Sequence, residues 1–337
     1  MRAWEIIKGG GVDTLNFANR DTPEPGPGQV RLKMNANSIN YRDLTTIEDP
    51  VSRKLPFPTV PNSDGAGVIS AVGEGSSWSV GDRVTSCFFE DWTAGEISAA
   101  AMASALGGAR QGVLAEEVIL PAHGVIATPD HLSDAEAATL PCAALTAWHA
   151  LTLPRPVMAG ETVLLLGTGG VSVFAQQFCA IMGAKTIVTS SSDDKLAKMK
   201  ALGAGETINY RNTPDWDAAV LEMTGGVGVD RVVEVGGPGT FDKSVNAVRV
   251  GGIVGLIGIL TGIAGQAAPT AIMRKSVTVR GIYVGSRAMF AGMNAAIEAH
   301  GLKPVIDQTF GFEDAKSAYH TMRGAGHFGK LVIDFAK

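Results

Sequence analysis

Cysteine is scarce in this chain. Cys87, Cys142 and Cys179 are the only three, and none forms a C-x-x-C pair. A disulfide framework is excluded, and free thiols in a reducing cytoplasm are expected. Long apolar runs are also missing. None approaches the roughly 18 residues that a transmembrane helix needs. The opening residues, MRAWEIIKGGG, lack the apolar core of a signal peptide. Lys and Arg never gather into a block, and the net charge is −5. That balance argues against nucleic acid or an anionic membrane as the main partner. No internal repeat or low-complexity tract occurs.

What remains is an ordinary globular composition, 45% hydrophobic and 18% charged, in 337 residues. This length suits two domains. Glycine, at 42 residues, is abundant and points to many tight turns and close backbone approaches.

The most informative stretch is Glu161 to Ile187. Val163-Leu164-Leu165-Leu166 is short and wholly apolar, as a buried parallel strand is. The turn Gly167-Thr168-Gly169-Gly170 follows, then an apolar helix-length segment from Val171 to about Met182. Gly183 stops that segment, and Thr186-Ile187-Val188 reads as the next strand. The turn is similar to G-x-G-x-x-G, with Ser172 at the third glycine's place. Gly167 permits the sharp turn and Gly169 permits close approach of a pyrophosphate, which the helix N-terminus favours. Ser172 is small enough to keep the helix near the strand. Alone the pattern is weak, but inside a strand–turn–helix–strand unit it outweighs a plain tight turn.

The first 130 residues or so read as mostly β. Strands follow Glu24-Pro25-Gly26-Pro27-Gly28, span Gly65–Val72 and begin near Val80-Gly81-Asp82-Arg83-Val84. This spacing suggests a small barrel-like domain. Phe88 to Gly112 reads equally as a pocket cover or a surface excursion. Ser133 and Glu136 form a capping-box pattern, and Ala143–Leu153 reads as a helix. From Glu161 onward strands and helices alternate, and six strands are counted. A parallel, doubly wound sheet follows from that alternation. The tail from about Ser286 holds helices at Ala291–His300 and Glu313–Met322 and a strand at Lys330–Phe335.

Taken together, the ordered blocks resemble the medium-chain dehydrogenase/reductase superfamily over nearly the whole chain. They include Pro25–Val30, Asn40-Tyr41-Arg42-Asp43-Leu44 and Asp64-Gly65-Ala66-Gly67-Val68. Gly81–Val84, Leu140–Ala147, the glycine turn, Ile208-Asn209-Tyr210-Arg211, Gly228-Val229-Asp230 and Gly329-Lys330 continue the series. The resemblance implies an α/β protein of two parts. A GroES-like β-rich catalytic domain is split between 1–140 and 286–337, and a Rossmann cofactor domain occupies 141–285. The site is implied where the two meet, and a homodimer is implied through the sheet edge near Val277–Tyr283.

Zinc members of this superfamily hold the metal with Cys, His and a third donor. Here Asn40 stands at the first position and Ser63 at the second, with Cys142 near the third. An amide, a hydroxyl and one thiol make a poor zinc site. The four-cysteine structural lobe is missing as well. No metal is expected, and Cys142 reads as a buried small apolar residue. Loss of the Lewis acid points to the zinc-independent branch, similar to quinone oxidoreductases and enone reductases. Within that branch the chain resembles proteins called zinc-type alcohol dehydrogenase-like.

The second Rossmann strand ends Val188-Thr189-Ser190-Ser191-Ser192, with no acid until Asp193 and Asp194. Hydroxyls with Lys195 nearby suit a 2′-phosphate, and Tyr210 matches a position beside that phosphate in quinone reductases. NADPH is expected, and NADH stays open through Asp193 or Asp194. Ser192 can also simply cap the next helix. Thr146, Gly167, Thr168, Gly169, Gly170, Val171, Val235, Gly236, Gly258, Val284, Gly285 and Ser286 complete the implied cofactor contacts.

The resemblance puts Asn40, Tyr41, Asp43, Ser63 and Asp64 on the catalytic side. Asn40 can donate an amide hydrogen bond to a carbonyl oxygen. Tyr41 can do the same or give a proton, although a packed ring with a bonded hydroxyl is placed first. Asp43 and Asp64 can equally serve the backbone or Arg42. Phe89 and Trp92 are candidate pocket walls, but single aromatics more often belong to a core. Three functions compete: an NADPH-dependent reductase of activated C=C bonds or quinones, a metal-free carbonyl or alcohol oxidoreductase, and an NADPH-binding protein with a structural or regulatory role.

Overall fold

The computed structural model describes residues Met1–Lys337. The chain forms two compact units, Met1–Leu145 with Val284–Lys337, and Thr146–Tyr283. In chain order, the first unit begins with the antiparallel pair β1 (Arg2–Glu5) and β2 (Asn16–Asn19). It continues through β3 (Gln29–Ile39), α1 (Tyr41–Glu48), β4 (Asp64–Val72), β5 (Arg83–Ser86) and α2 (Ala99–Met102). β6 (Glu117–Pro121), β7 (Val125–Ala127) and α3 (Asp134–Ala137) follow. A π-helical turn, Leu140–Ala144, leads into α4 (Leu145–Thr152).

The second unit alternates β8 (Thr162–Leu166), α5 (Gly170–Met182), β9 (Lys185–Ser190), α6 (Asp193–Ala201) and β10 (Glu206–Asn209). It then runs through α7 (Trp216–Met223), β11 (Val229–Glu234), α8 (Pro238–Ala247), β12 (Val248–Leu256), α9 (Pro269–Arg274) and β13 (Thr278–Gly281). The tail adds α10 (Arg287–His300), β14 (Ile306–Gly311), α11 (Ala315–Arg323) and β15 (Lys330–Asp334) to the first unit.

In the second unit six parallel strands lie in the order β10-β9-β8-β11-β12-β13. This is the doubly wound arrangement of a dinucleotide fold. Val163, Leu164 and Leu165 are fully buried, which is why β8 reads as a continuous apolar run. Leu164, Ile187, Trp216, Val232, Phe241 and Val254 form part of the core on one face. Arg231 is also fully buried here. Its guanidinium donates to the Leu153 carbonyl at 2.9 Å and the Arg155 carbonyl at 2.7 Å, closing the chain that leaves α4. Burial pushes that guanidinium down to about 10.

In the first unit seven strands form a sheet in the order β14-β15-β3-β4-β5-β7, with β6 also pairing β3. From Gln29 to Ala36 every other residue of β3 is buried, Val30, Leu32, Met34 and Ala36, and Asn37, Ser38 and Ile39 are buried without a break. Val30, Leu32 and Met34 join Val84, Leu120, Leu331, Ile333 and the α11 residue Tyr319 in one core. Ser133 and Glu136 make the expected capping box at α3.

Three expectations change. The boundaries at 140/141 and 285/286 move to 145/146 and 283/284. The π turn stays with the first unit because the Cys142 N–H donates to Asp64, and a Cβ on Gly285 would come within 2.8 Å of Leu145. The stretch from Phe88 onward is a surface excursion only in its middle: residues 93–100 are largely exposed, while Phe88, Phe89, Trp92, Ala101 and Leu106 are buried on either side. Phe89 and Trp92 therefore serve as core. β14 was not foreseen; its sequence, Ile-Asp-Gln-Thr-Phe-Gly, is only half-buried along most of its length.

Candidate active site

Two antiparallel pairings place the first cluster. β3 pairs with β4, Ser38 opposite Asp64, and with β15, Ile39 opposite Leu331. The C-terminal end of β3 therefore lies beside the N-terminal ends of both neighbours. Asn40, Asp64 and Lys330 are brought together at that end of the sheet, although 24 residues separate the first two and 266 the last two in sequence.

Asn40 is the extended residue that caps α1. Its backbone N–H donates to Asp43 Oδ2 at 2.8 Å, and Arg42 Nη1 donates to Asp43 Oδ1 at 3.0 Å. Arg42 also donates to the Leu106 carbonyl at 2.7 Å. Both oxygens of Asp43 are thus engaged in holding the turn, which is the structural one of its two expected roles. The Asn40 side chain accepts at Oδ1 from Lys330 Nζ, 2.5 Å away, and the same ammonium donates to the Ile39 carbonyl at 2.9 Å. Asn40 Nδ2 is buried and makes no close hydrogen bond, although the Asp64 carboxylate is near enough to feel it.

Asp64 is fully buried. Ser63 Oγ donates to its Oδ1 at 2.6 Å, and the Cys142 N–H donates to its Oδ2 at 3.1 Å. Burial pushes the carboxyl up to about 6. The Lys330 charge pulls it down, the Asp43 charge pushes it up, and Ser63 and Asn40 lower it through hydrogen bonding. The Cys142 thiol is raised far above the ordinary thiol range, mainly by burial and next by Asp64. Nearby, the buried Tyr319 hydroxyl donates to Asn62 Oδ1, and burial lifts this phenol well above its usual range. No three His, Cys, Asp or Glu side chains converge into a set that could hold a metal.

Tyr41 departs from the expectation placed first for it. It is the first residue of α1 and 42% exposed, because the helix turns Asp43, Leu44, Thr46 and Ile47 inward instead. Lys330 went unassigned in the sequence, where it appeared only inside a family block. Nothing local in Gly329-Lys330-Leu331 announces a buried ammonium; its only signal was a lysine opening an apolar strand.

The second cluster lies at the C-terminal ends of the parallel strands in the other unit. After β8, Gly167 adopts a φ of +73°, and Gly169 caps α5, with Gly170 and Val171 in its first turn. A Cβ at Gly167 or Gly169 would meet no protein atom within 4 Å, so the backbone faces open space there. Thr168 is buried. Ser172 Oγ donates to the Leu166 carbonyl at 2.6 Å, so this small residue ties helix to strand directly. After β9, Ser190 is buried, Ser191 is half-buried, and Ser192 caps α6 by accepting from the Lys195 N–H. Asn209 Nδ2 donates to Asp193 Oδ1 at 2.7 Å, while Tyr210 follows β10 with its N–H on the Ser190 carbonyl.

After β11, Glu234 gathers the next loop. Its Oε1 accepts from the Gly236 N–H at 2.7 Å, the Gly237 N–H at 2.9 Å and Thr240 Oγ1 at 2.7 Å. Ser244 Oγ donates to its other oxygen. The loop after β12 docks on this one: Gly258 lies so near Val235 that a Cβ would sit 1.6 Å from its carbonyl oxygen. Gly167 to Val171, Ser190 to Ser192, Val235, Gly236 and Gly258 thus share one edge of the sheet. Thr146 is buried in α4 of the same unit. Val284, Gly285 and Ser286 fold with the first unit, where Ser286 caps α10 by accepting from the Met289 N–H at 3.2 Å.

Comparison with known proteins agrees with this geometry. A family model described as alcohol dehydrogenase GroES-like domain matches residues 26–130, and one described as zinc-binding dehydrogenase matches residues 170–299. A zinc-type alcohol dehydrogenase-like protein of Schizosaccharomyces pombe is 43% identical, covering 96% of each chain. Human quinone oxidoreductase is 28% identical over 99% of this chain and 97% of its own. Among solved structures, a candidate alcohol dehydrogenase from Sinorhizobium meliloti 1021 superposes with a TM-score of 0.93 at 39% identity, covering 99% of this chain and 98% of that one. A structure titled NAD-dependent alcohol dehydrogenase gives 0.89 at 33% identity, covering 99% of both chains. A mycobacterial protein crystallised with NADPH gives 0.83 at 27%, again covering 99% of both. Two family models matched in order, with a relative 43% identical along almost the entire chain, settle the lineage: the protein belongs to the medium-chain dehydrogenase/reductase superfamily and is an oxidoreductase of its alcohol dehydrogenase and quinone oxidoreductase family.

Proposed function

We propose that the protein is a zinc-independent, NADPH-dependent reductase that delivers hydride to an activated C=C bond, as in an enone, or to a quinone. The observation that carries this reading is the Asn40 amide. Its Nδ2 is a buried donor with no close hydrogen bond, beside the Asp64 carboxylate, in a cluster whose donor atoms are unsuited to a metal.

Zinc does not fit the residues at the ligand positions. Asn40 Oδ1 already accepts from an ammonium, the Ser63 hydroxyl is turned to Asp64, and the Cys142 thiol is held protonated by burial. Zinc prefers thiolate and imidazole donors. No step is therefore routed through a metal.

A dinucleotide does fit the second cluster. Gly167 and Gly169 leave open space before the N-terminus of α5, which favours a pyrophosphate. Asp193 is engaged by Asn209, and the end of β9 offers the hydroxyls of Ser190 to Ser192. Both features favour a 2′-phosphate over a free ribose hydroxyl, as does the structural neighbour crystallised with NADPH.

When bound, the nicotinamide supplies the hydride. The chain's own part is to place and polarise the acceptor. With the acceptor oxygen at Asn40 Nδ2, hydride adds at the β carbon and the displaced π electrons move onto that oxygen. The amide N–H stabilises the developing charge, and a proton from solvent completes the saturated product. One such donor is commonly worth about 10²–10³ in kcat. Two accessory proposals accompany this reading. The substrate is a small electrophile, and β13, an edge strand of its sheet, offers unpaired backbone groups to a second copy of the chain.

The test is spectrophotometric. NADPH and NADH oxidation are followed with an enone, a quinone and a plain aldehyde. NADPH turnover with the first two supports the proposal. Turnover with the aldehyde alone would favour a carbonyl or alcohol oxidoreductase, the activity named for two structural relatives. Tight NADPH binding without any turnover would favour a binding role. One equivalent of bound zinc, lost together with activity on chelation, would overturn zinc independence.

A further inference from the structure

We propose that Lys330 is a positioning residue for this site: its ammonium fixes the direction of the Asn40 amide and polarises it, so that Nδ2–H is presented as an oriented donor to the reacting oxygen. This inference rests on the proposed reading of Asn40 as the group that meets the acceptor.

Lys330 is only 3% exposed, and a lysine is seldom so buried without a partner. Its ammonium has protons to give and no lone pair to offer. The amide face turned to it at 2.5 Å must be the carbonyl oxygen, so Nδ2 is directed away. An Asn side chain is otherwise free to present either face. The Ile39 carbonyl holds the ammonium from a second side, at 2.9 Å. The Asn40 backbone is fixed independently, since its N–H reaches Asp43 and its carbonyl accepts from the Asp43 and Leu44 N–H groups. The backbone and amide oxygen are bonded, the ammonium has two acceptors, and Nδ2 makes no close hydrogen bond, with the Asp64 carboxylate beside it. A buried orphan donor of this kind calls for a functional explanation. A positive charge on the oxygen of an amide withdraws electrons from its nitrogen and makes Nδ2–H a stronger donor. The buried carboxylate of Asp64, on the neighbouring strand β4, supplies the counter-charge that allows an ammonium to be kept there.

The experiment is a double-mutant cycle in the full-length enzyme between N40A and K330M, with K330M/D64N added to remove both buried charges together. N40A and K330M are each expected to lower kcat about 30- to 100-fold, with the NADPH dissociation constant changed less than 3-fold. In the N40A background K330M should cost less than 3-fold more, because its effect passes through Asn40. K330R should recover at least a third of wild-type kcat, and K330M/D64N should fold and remain slow. With selective asparagine labelling, the Asn40 side-chain amide resonances should shift in K330M/D64N relative to D64N alone.

Additive losses in the cycle would overturn the inference, as would wild-type kcat in K330M/D64N or unshifted Asn40 amide resonances. These outcomes differ from failure of the proposed function itself. In that case the wild-type enzyme would turn over no enone or quinone, whereas the amide resonances still report whether Lys330 orients Asn40.

Discussion

Glu234 offers the sharpest test of how the proposed nucleotide edge is built. Its side chain is fully buried and accepts from two backbone N–H groups and two hydroxyls, while its own carbonyl accepts from the Ile257 and Gly258 N–H groups. One residue therefore fixes the loops after both β11 and β12. Glu234→Ala removes every side-chain bond at once. The Gly236 and Gly237 N–H groups are then stranded, at about 1–3 kcal/mol each, while the two hydroxyls can rotate. A loss of about 4 kcal/mol is expected, between about a quarter and four fifths of the 5–15 kcal/mol that ordinarily separates folded from unfolded. Glu234→Gln keeps an oxygen for the two N–H groups and exchanges only charged acceptance for neutral, at a cost of about 1–2 kcal/mol. The assay is urea unfolding, read as a shift of midpoint at constant slope. NADPH binding measured alongside should weaken at least 10-fold in the alanine variant and less than 3-fold in the glutamine variant, if Gly236 contacts the cofactor as proposed. An alanine variant within 1 kcal/mol of wild type, or alanine and glutamine variants of equal stability, would refute the reasoning.

Three further substitutions have expected outcomes. Asp64 is raised from an ordinary carboxyl to about 6, so the folded chain holds a proton that the unfolded chain releases near 4; this contribution is present at low pH and is lost as pH rises through 6. At 1.36 kcal/mol per unit it amounts to about 3 kcal/mol, and Asp64→Asn should show a correspondingly flatter stability profile from pH 4 to 7 by urea titration. Gly258→Ala forces a Cβ onto the Val235 carbonyl, so the loops after β11 and β12 must separate; NADPH affinity should fall more than 10-fold by fluorescence titration while far-UV circular dichroism is kept. Arg231→Leu strands the carbonyls of Leu153 and Arg155 in a buried site and should cost about 2–4 kcal/mol by thermal unfolding.

How much of this could be read from the chain depended on the range of the interaction. Gly167, Gly169 and Ser172 were legible because their demands are local: a left-handed turn, an open approach and a small side chain lie within six residues. The strands of the second unit were legible because burial on both faces writes itself as unbroken apolar runs. β14 was hidden because its half-buried residues carry no clean period. Tyr41 misled because the sequence names a ring without saying which face of α1 it occupies. Asn40 and Asp64 were noticed only through blocks similar to a known superfamily, where Asn40 looked like a missing ligand and Asp64 like a carboxylate serving the backbone or Arg42. What they are becomes visible once β3 is paired on both sides. The register sets Lys330 against Asn40, and Asp64 beside them, from three strands remote in sequence. The absence of histidine and cysteine at positions 63 and 40 is then only half of a physical statement. The other half is an ammonium that arrives from the last strand of the chain and sits on the Asn40 oxygen. A cation there repels a metal and leaves the amide nitrogen as the donor without a close hydrogen bond. The substitutions at Asn40 and Ser63 and the lysine at 330 therefore belong to one arrangement, and no one of them is interpretable without the others.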